Sequence, residues 1–171
     1  RLPAGGLDLG AHTLLVICDD LRRSDAGIAD EIAGEADRRT HPLGALLQGA
    51  LGAEVLVCDE DPSEADSQRL LDHLAHATSV IGATFAHIQC YKGDGVRLPR
   101  RQRALWEEVA RANKLRALLL FESPYALSDL PGNVPVIVGY GGDRFSLAAS
   151  AGALLGKLPC PGKLPVTVAR R

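Results

Sequence analysis

Thr13-Leu14-Leu15-Val16-Ile17-Cys18, followed at once by Asp19-Asp20, is the stretch that decides the fold class. Its apolar residues are consecutive rather than alternating, which is the pattern of a strand covered on both faces, as in a parallel sheet. Runs of the same kind recur at residues 54–58, 79–85, 117–121 and 135–138. Segments with helical spacing lie between them. In 42–51, Leu43, Leu46, Leu47 and Leu51 recur at helical intervals and Gly52 supplies a stop. Ser63, ahead of acidic Glu64 and Asp66, caps a helix to His76 with Leu70, Leu71 and Leu74 on one face. Residues 99–113 begin with Pro99 at a first-turn position and gather Leu105, Val109 and Ala112. Asp143 caps a last helix whose stripe of Leu147, Ala151, Leu154 and Leu155 ends at Gly156. Repeated strand–helix–strand units with right-handed crossovers predict a three-layer α/β/α sandwich, its mostly parallel sheet holding five to six strands. The charged stretch 22–40 interrupts the rhythm and reads as a surface insertion within a single α/β domain spanning 1–171.

Composition sets the outer limits. The chain has 171 residues, 46% apolar and 23% charged, with a formal net charge of -2. That is enough to bury about two thirds of the surface the unfolded chain exposes, and too apolar for a disordered segment. No apolar stretch approaches the roughly 20 residues of a membrane span, and the near-neutral balance argues against nucleic acid as a partner. The chain opens on Arg1 and holds no methionine, as expected of a segment excised from a larger polypeptide. Cys18, Cys58, Cys90 and Cys160 form no C-x-x-C pair. The first three end apolar runs, where a free cysteine acts as a small hydrophobe, and this usage leans toward a reducing, cytoplasmic setting.

Chemistry in a parallel sheet gathers beyond the carboxyl ends of the strands. Asp19 and Asp20 stand there after the first strand, Asp59, Glu60 and Asp61 after the second, Glu122 after the fourth and Asp143 after the fifth. Such carboxylates suit Mg²⁺ or an acid and base pair, but acids also favour helix starts, and that reading is the stronger one. LLVICDD resembles the first strand of a phosphoacceptor receiver domain, yet the acceptor Asp after the third strand and the Lys after the fifth are missing. A nucleotide-binding turn would need glycines where Asp19-Asp20-Leu21-Arg22-Arg23 stands. His73 and His76 read as a solvated helix face, and His87 as a strand-end residue with a satisfied hydrogen bond. Ser24, Ser123 and Ser150 lack the G-x-S-x-G setting of a hydrolase nucleophile. Lys92, Arg97, Arg100, Arg101 and Arg103 suit an acidic surface, or simply a solvated helix entrance. Neither a cofactor nor a metal is expected.

The C-terminal third carries a resemblance. Phe121-Glu122-Ser123-Pro124-Tyr125-Ala126-Leu127-Ser128-Asp129-Leu130-Pro131 precedes a buried strand and a helix of small residues, and the chain then runs Leu155-Gly156-Lys157-Leu158-Pro159-Cys160-Pro161-Gly162-Lys163-Leu164-Pro165-Val166-Thr167-Val168. This resembles the C-terminal domain of family 3 glycoside hydrolases of the β-N-acetylhexosaminidase branch, where N-P-Y-x-L-x-D-x-P leads to a strand, a helix and L-x-G-x-x-x-x-x-G-x-L-P-V-T. Leu2-Pro3 is similar to the L-P-L that opens that domain. Ser123 stands where Asn is usual and Glu122 where Gly is usual. On its own chemistry, Pro161-Gly162 makes a turn and residues 164–168 read as a final strand.

The resemblance implies a parent enzyme with an N-terminal (β/α)₈ barrel that carries the catalytic Asp and, in this branch, a His–Asp acid/base pair. None of the barrel's motifs occurs in the chain. A retaining mechanism needs two groups about 5 Å apart across the scissile bond, so the expected role is an accessory domain packing on a barrel of the same polypeptide, with no catalytic residue of its own. An independent carbohydrate-binding module would need exposed aromatic faces, for which Tyr125, Tyr140 and Trp106 are the candidates. A protein-interaction module is the third reading.

Overall fold

The five apolar runs become five parallel strands: β1 (Thr13–Asp19), β2 (Glu54–Asp59), β3 (Ser79–Ala86), β4 (Leu115–Glu122) and β5 (Val136–Val138). Their spatial order is β2-β1-β3-β4-β5. The computed structural model describes residues 7, 9–20, 41–87 and 97–168. The proposed insertion at 22–40, and Cys90, Tyr91 and Lys92, lie outside the described residues. β1 and β3 are buried along their whole length, as their unbroken apolar runs require.

Two apolar layers flank the sheet. On one side, Leu15, Ile17, Ile81, Leu119 and Phe121 meet α1 (Pro42–Leu51) and α4 (Arg144–Leu154) through Leu43, Leu47, Leu147, Ala151 and Leu154. On the other, Leu14, Val16, Val80, Leu118 and Leu120 meet α2 (Glu64–His76) and α3 (Arg100–Arg111) through Leu70, Leu74, Leu105, Trp106 and Val109. The described residues therefore form the α/β/α sandwich that the periodicity predicts. Each large side chain buried here contributes about 1.5–3 kcal/mol. Trp106 is wholly buried and packs against β3 at Gly82, which leaves it room: a Cβ there would fall 2.7 Å from the indole and 2.4 Å from Leu118.

The caps follow the sequence closely. Ser63 and Asp66 form a reciprocal capping box on α2, and Asp143 accepts from the backbone N–H groups of Phe145 and Ser146 at the start of α4. Several details differ from expectation. Pro99 is the residue before α3, with an extended ψ of 147°, rather than its first helical residue. Ala112 lies past the helix end and is exposed, while Gln102 and Trp106 complete the buried face with Leu105 and Val109. Leu46 and Leu71 are 45% and 39% exposed, because each sits at the margin of its apolar stripe. Residues 164–168 form no strand. They are largely exposed, and Pro165 withholds the N–H that a ladder needs.

Candidate functional site

In the order β2-β1-β3-β4-β5 the chain leaves β1 toward one edge and later returns to β1's other side, so the connections diverge between β1 and β3. A crevice opens at such a switch point, beyond the carboxyl ends of the strands. Asp19 is the last residue of β1, facing Asp59 of β2 in register. It is 7% exposed. Its Oδ2 lies 3.2 Å from Nε2 of His41, and its Oδ1 lies 2.9 Å from Nε2 of His87. Oδ1 also accepts from the Asp20 N–H at 2.8 Å.

His41 immediately precedes α1 and caps it: its Nδ1 accepts from the Leu43 N–H at 3.2 Å. A nitrogen that accepts carries no proton, so the imidazole is held as the Nε2–H tautomer, with that proton aimed at Asp19. His87 is the first residue beyond β3. Both rings border Phe85, whose centroid is 5.2 Å from His41 and 6.3 Å from His87, and Phe85 stacks on Phe121 at 4.6 Å. Burial works against charge on Asp19, but the hydrogen bonds from His41 and His87, with electrostatic attraction to the same rings, outweigh it and bring the carboxyl down to about 2.

The neighbouring carboxylates form an acidic rim. Burial pushes the Glu60 carboxyl up, and Asp20, Asp59 and Asp19 push it further while His87 opposes them. Asp143 is the exposed cap of α4, its carboxyl lowered by the Ser146 hydroxyl and by the backbone N–H groups it receives. Asp61 and Asp59 are joined locally, Asp61 N–H to Asp59 Oδ1 at 3.4 Å. Glu122 ends β4 in the left-handed region, with φ of 69°. Its carboxylate folds over Gly142, where a Cβ would stand 2.8 Å from Oε1 and 3.6 Å from the Phe85 ring. Tyr140, beyond β5, is also left-handed at φ 58°. Two left-handed side-chain residues thus stand past the ends of adjacent strands, a costly arrangement that clusters at functional sites.

The structure brings three of the sequence's strand-end residues to the switch point, Asp19, Glu60 and His87, and leaves Asp143 as a cap. Among the described residues no group of three His, Cys, Asp or Glu side chains is arranged to hold a metal ion. His73 pairs with Glu54 at 2.9 Å on the surface, and His76 is exposed. Of the aromatic candidates, Tyr125 and Tyr140 are 51% and 47% exposed, whereas Trp106 is fully buried and cannot offer a face to a sugar. Phe145, at 70% exposure, is a further surface aromatic absent from the sequence-based set. His41 was also missed. Its signal was the pair His41-Pro42, a capping position ahead of a proline suited to the first turn.

A carboxylate that fixes one nitrogen of an imidazole sets the ring's orientation and tautomer, as the Asp of a Ser-His-Asp triad does. Asp19 does this for two rings at once.

No family model and no curated protein matches the chain. Among solved structures, it is similar to a family 3 glycoside hydrolase, a β-N-acetylglucosaminidase from Paenibacillus sp. strain FPU-7, with a TM-score of 0.69 and 18% identity over 98% of this chain. The match covers 29% of that enzyme's chain, so the present chain spans under a third of its length. A weaker overlap, with a TM-score of 0.40 and 20% identity, covers 84% of this chain and 98% of a 3-dehydroquinate dehydratase-like protein from Bifidobacterium longum. At 18% identity the first likeness shows a shared fold.

Proposed function

We propose that this chain is the accessory C-terminal domain of a family 3 glycoside hydrolase of the β-N-acetylhexosaminidase type, packing against a (β/α)₈ catalytic barrel and inactive without it. The observation that carries this reading is the fold match, which takes in 98% of this chain but only 29% of a family 3 enzyme. The ordered likeness of residues 121–131 and 155–168 to that family's C-terminal motifs supports it. Asp129, the acid of the first motif, has a structural task that explains its place there: buried, it accepts from the Leu98 N–H at 3.0 Å and from Arg97 Nε at 2.9 Å, tying the segment after β4 to the start of α3.

The test is direct. The purified chain is expected to leave an aryl N-acetyl-β-glucosaminide intact, and measurable turnover by the chain alone would overturn the proposal. The coding sequence ahead of Arg1 is expected to specify a barrel with a catalytic Asp.

A second reading, an independent carbohydrate-binding module, draws on the exposure of Tyr125 and Tyr140. Titration with chitooligosaccharides, followed by NMR of the tyrosine rings, separates the two. Saturable shifts at both rings favour the module, and unmoved rings favour the packing role.

A further inference from the structure

Away from the switch point, α3 and the segment 128–133 border an open cavity of about 410 Å³, within the size range of small-ligand sites. One wall is a single face of α3, with Arg103, Glu107 and Arg111 one turn apart. The other is the loop that carries Ser128, Asp129 and Asn133.

Arg103 is the unusual group. Asp129, its nearest carboxylate, has a side chain only 1% exposed and is already engaged by Nε and Nη2 of Arg97 and by the Leu98 N–H. Arg103 Nη1 stands 3.9 Å from Asp129 Oδ1, beyond hydrogen-bond reach, and its Nε is buried with no partner among the described residues. Arg103 lines the cavity with a side chain 33% exposed, so a group bringing oxygen acceptors can engage its Nη groups, one of which stops 3.9 Å short of Asp129. Among the lining residues Arg103 and Arg111 balance Glu107 and Asp129, and Arg97, which pairs with Asp129 from outside the lining, brings the one positive charge in excess.

We propose that this cavity binds a small anion bearing a carboxylate or a phosphate, held by the guanidinium fork of Arg103 with Arg111 as the second cation. This inference is independent of the accessory-domain reading.

The experiment is ¹⁵N NMR of the intact chain at low salt, titrated separately with citrate and with inorganic phosphate. The expected result is a saturable shift of the Arg103 Nε–H and of the backbone amides of 128–133. Apparent affinity should fall at least about five-fold in Arg103→Gln, less in Arg111→Gln, and should weaken as salt is raised. Tighter binding of citrate assigns carboxylates, and tighter binding of phosphate assigns phosphoryl groups. No saturable shift with either anion overturns the proposal, as do shifts that persist undiminished in a folded Arg103→Gln. If that variant fails to fold, Arg103→Lys, which keeps the charge without the fork, and Arg111→Gln decide, and undiminished binding in both overturns it.

Discussion

Asp19 and Asp129 are each 7% exposed, and each is approached by two basic side chains and one backbone N–H. They differ in the partners' chemistry. Asp129 is held by the Arg97 guanidinium, which stays charged and ties the segment after β4 to the residues just before α3, with Arg103 at 3.9 Å adding only its charge. Asp19 faces two imidazoles, one of which also caps α1, at the point where the sheet's connections diverge. The first arrangement ties a segment down, whereas the second orients two rings at the switch point.

The largest break in the comparison comes at the clamp. Asp129→Ala strands the Arg97 guanidinium and the buried Leu98 N–H together. Breaking a buried pair by removing one partner costs about 3–5 kcal/mol, and the partial exposure of Arg97, 41% at the side chain, places the effect toward the lower end. Urea unfolding should show it as a lower midpoint at unchanged slope. A shift below about 0.5 kcal/mol, the size of an ordinary surface change, would mean that the clamp bears no load.

Asp19→Asn comes next and adds a signature in pH. The Asp19 carboxyl sits at about 2 in the folded chain, against about 3.9 when unfolded. A depressed folded value contributes stability that is fully present above the unfolded value and disappears as pH falls through the folded one. The contribution at neutral pH is about 2–3 kcal/mol. Wild type should therefore lose its advantage over Asp19→Asn between about pH 4 and pH 2. Parallel stability curves for the two proteins across that window would remove Asp19 from the pH response.

How far the sequence discloses each half of this comparison follows from reach along the chain. Consecutive apolar runs such as 13–18 and 79–85 announce strands buried on both faces, and Ser63, Asp143 and Gly52 act within a turn of their own helices. These local signals place the sheet and its caps. The run at 164–168 has the composition of a strand, but strand formation needs a neighbour, and Pro165 with an exposed setting leaves it unpaired. Trp106 reads from sequence as a platform candidate, and only Gly82 across from it shows it to be core. The site is still less local: His41 is 22 positions from Asp19, and His87 is 68. Sequence marks Asp19 and His87 as strand ends, but only the β1–β3 pairing and the return of the chain into α1 bring the two imidazoles onto one carboxylate.

His41→Ala removes the cap of α1 and one donor to Asp19 together. Loss of an N-cap costs about 1 kcal/mol, so the midpoint should fall by somewhat more than a cap alone. His41→Asn restores a capping oxygen but shortens the reach to Asp19. It should recover the α1 cap, seen as hydrogen-exchange protection of the Leu43 amide, while the Asp19 carboxyl titrates at a higher pH than in wild type. If Asn restores both, the ring serves α1 alone, and the contrast with Asp129 narrows to a difference in cap chemistry.

The smallest expected effect carries the opposite sign. Glu122 holds a left-handed φ of 69°, a conformation costing a side-chain residue roughly 1–2 kcal/mol, and glycine adopts it without that penalty. Glycine also gains freedom in the unfolded chain, which takes back about 0.4–1 kcal/mol. Glu122→Gly should therefore stabilise the fold by about 0.5–1 kcal/mol, the difference of those two terms. Asn113, at φ 56°, provides the control. Asparagine visits this region readily, so Asn113→Gly should change stability by no more than a few tenths of a kcal/mol. A gain at 122 without one at 113 would locate stored strain at the carboxyl ends of the strands, beside Asp19, rather than in turns generally. No gain at 122 would mean that the Glu122 carboxylate, folded over Gly142 and the Phe85 ring, repays its backbone cost through packing, and the switch-point end of the molecule would then be no more strained than the clamp.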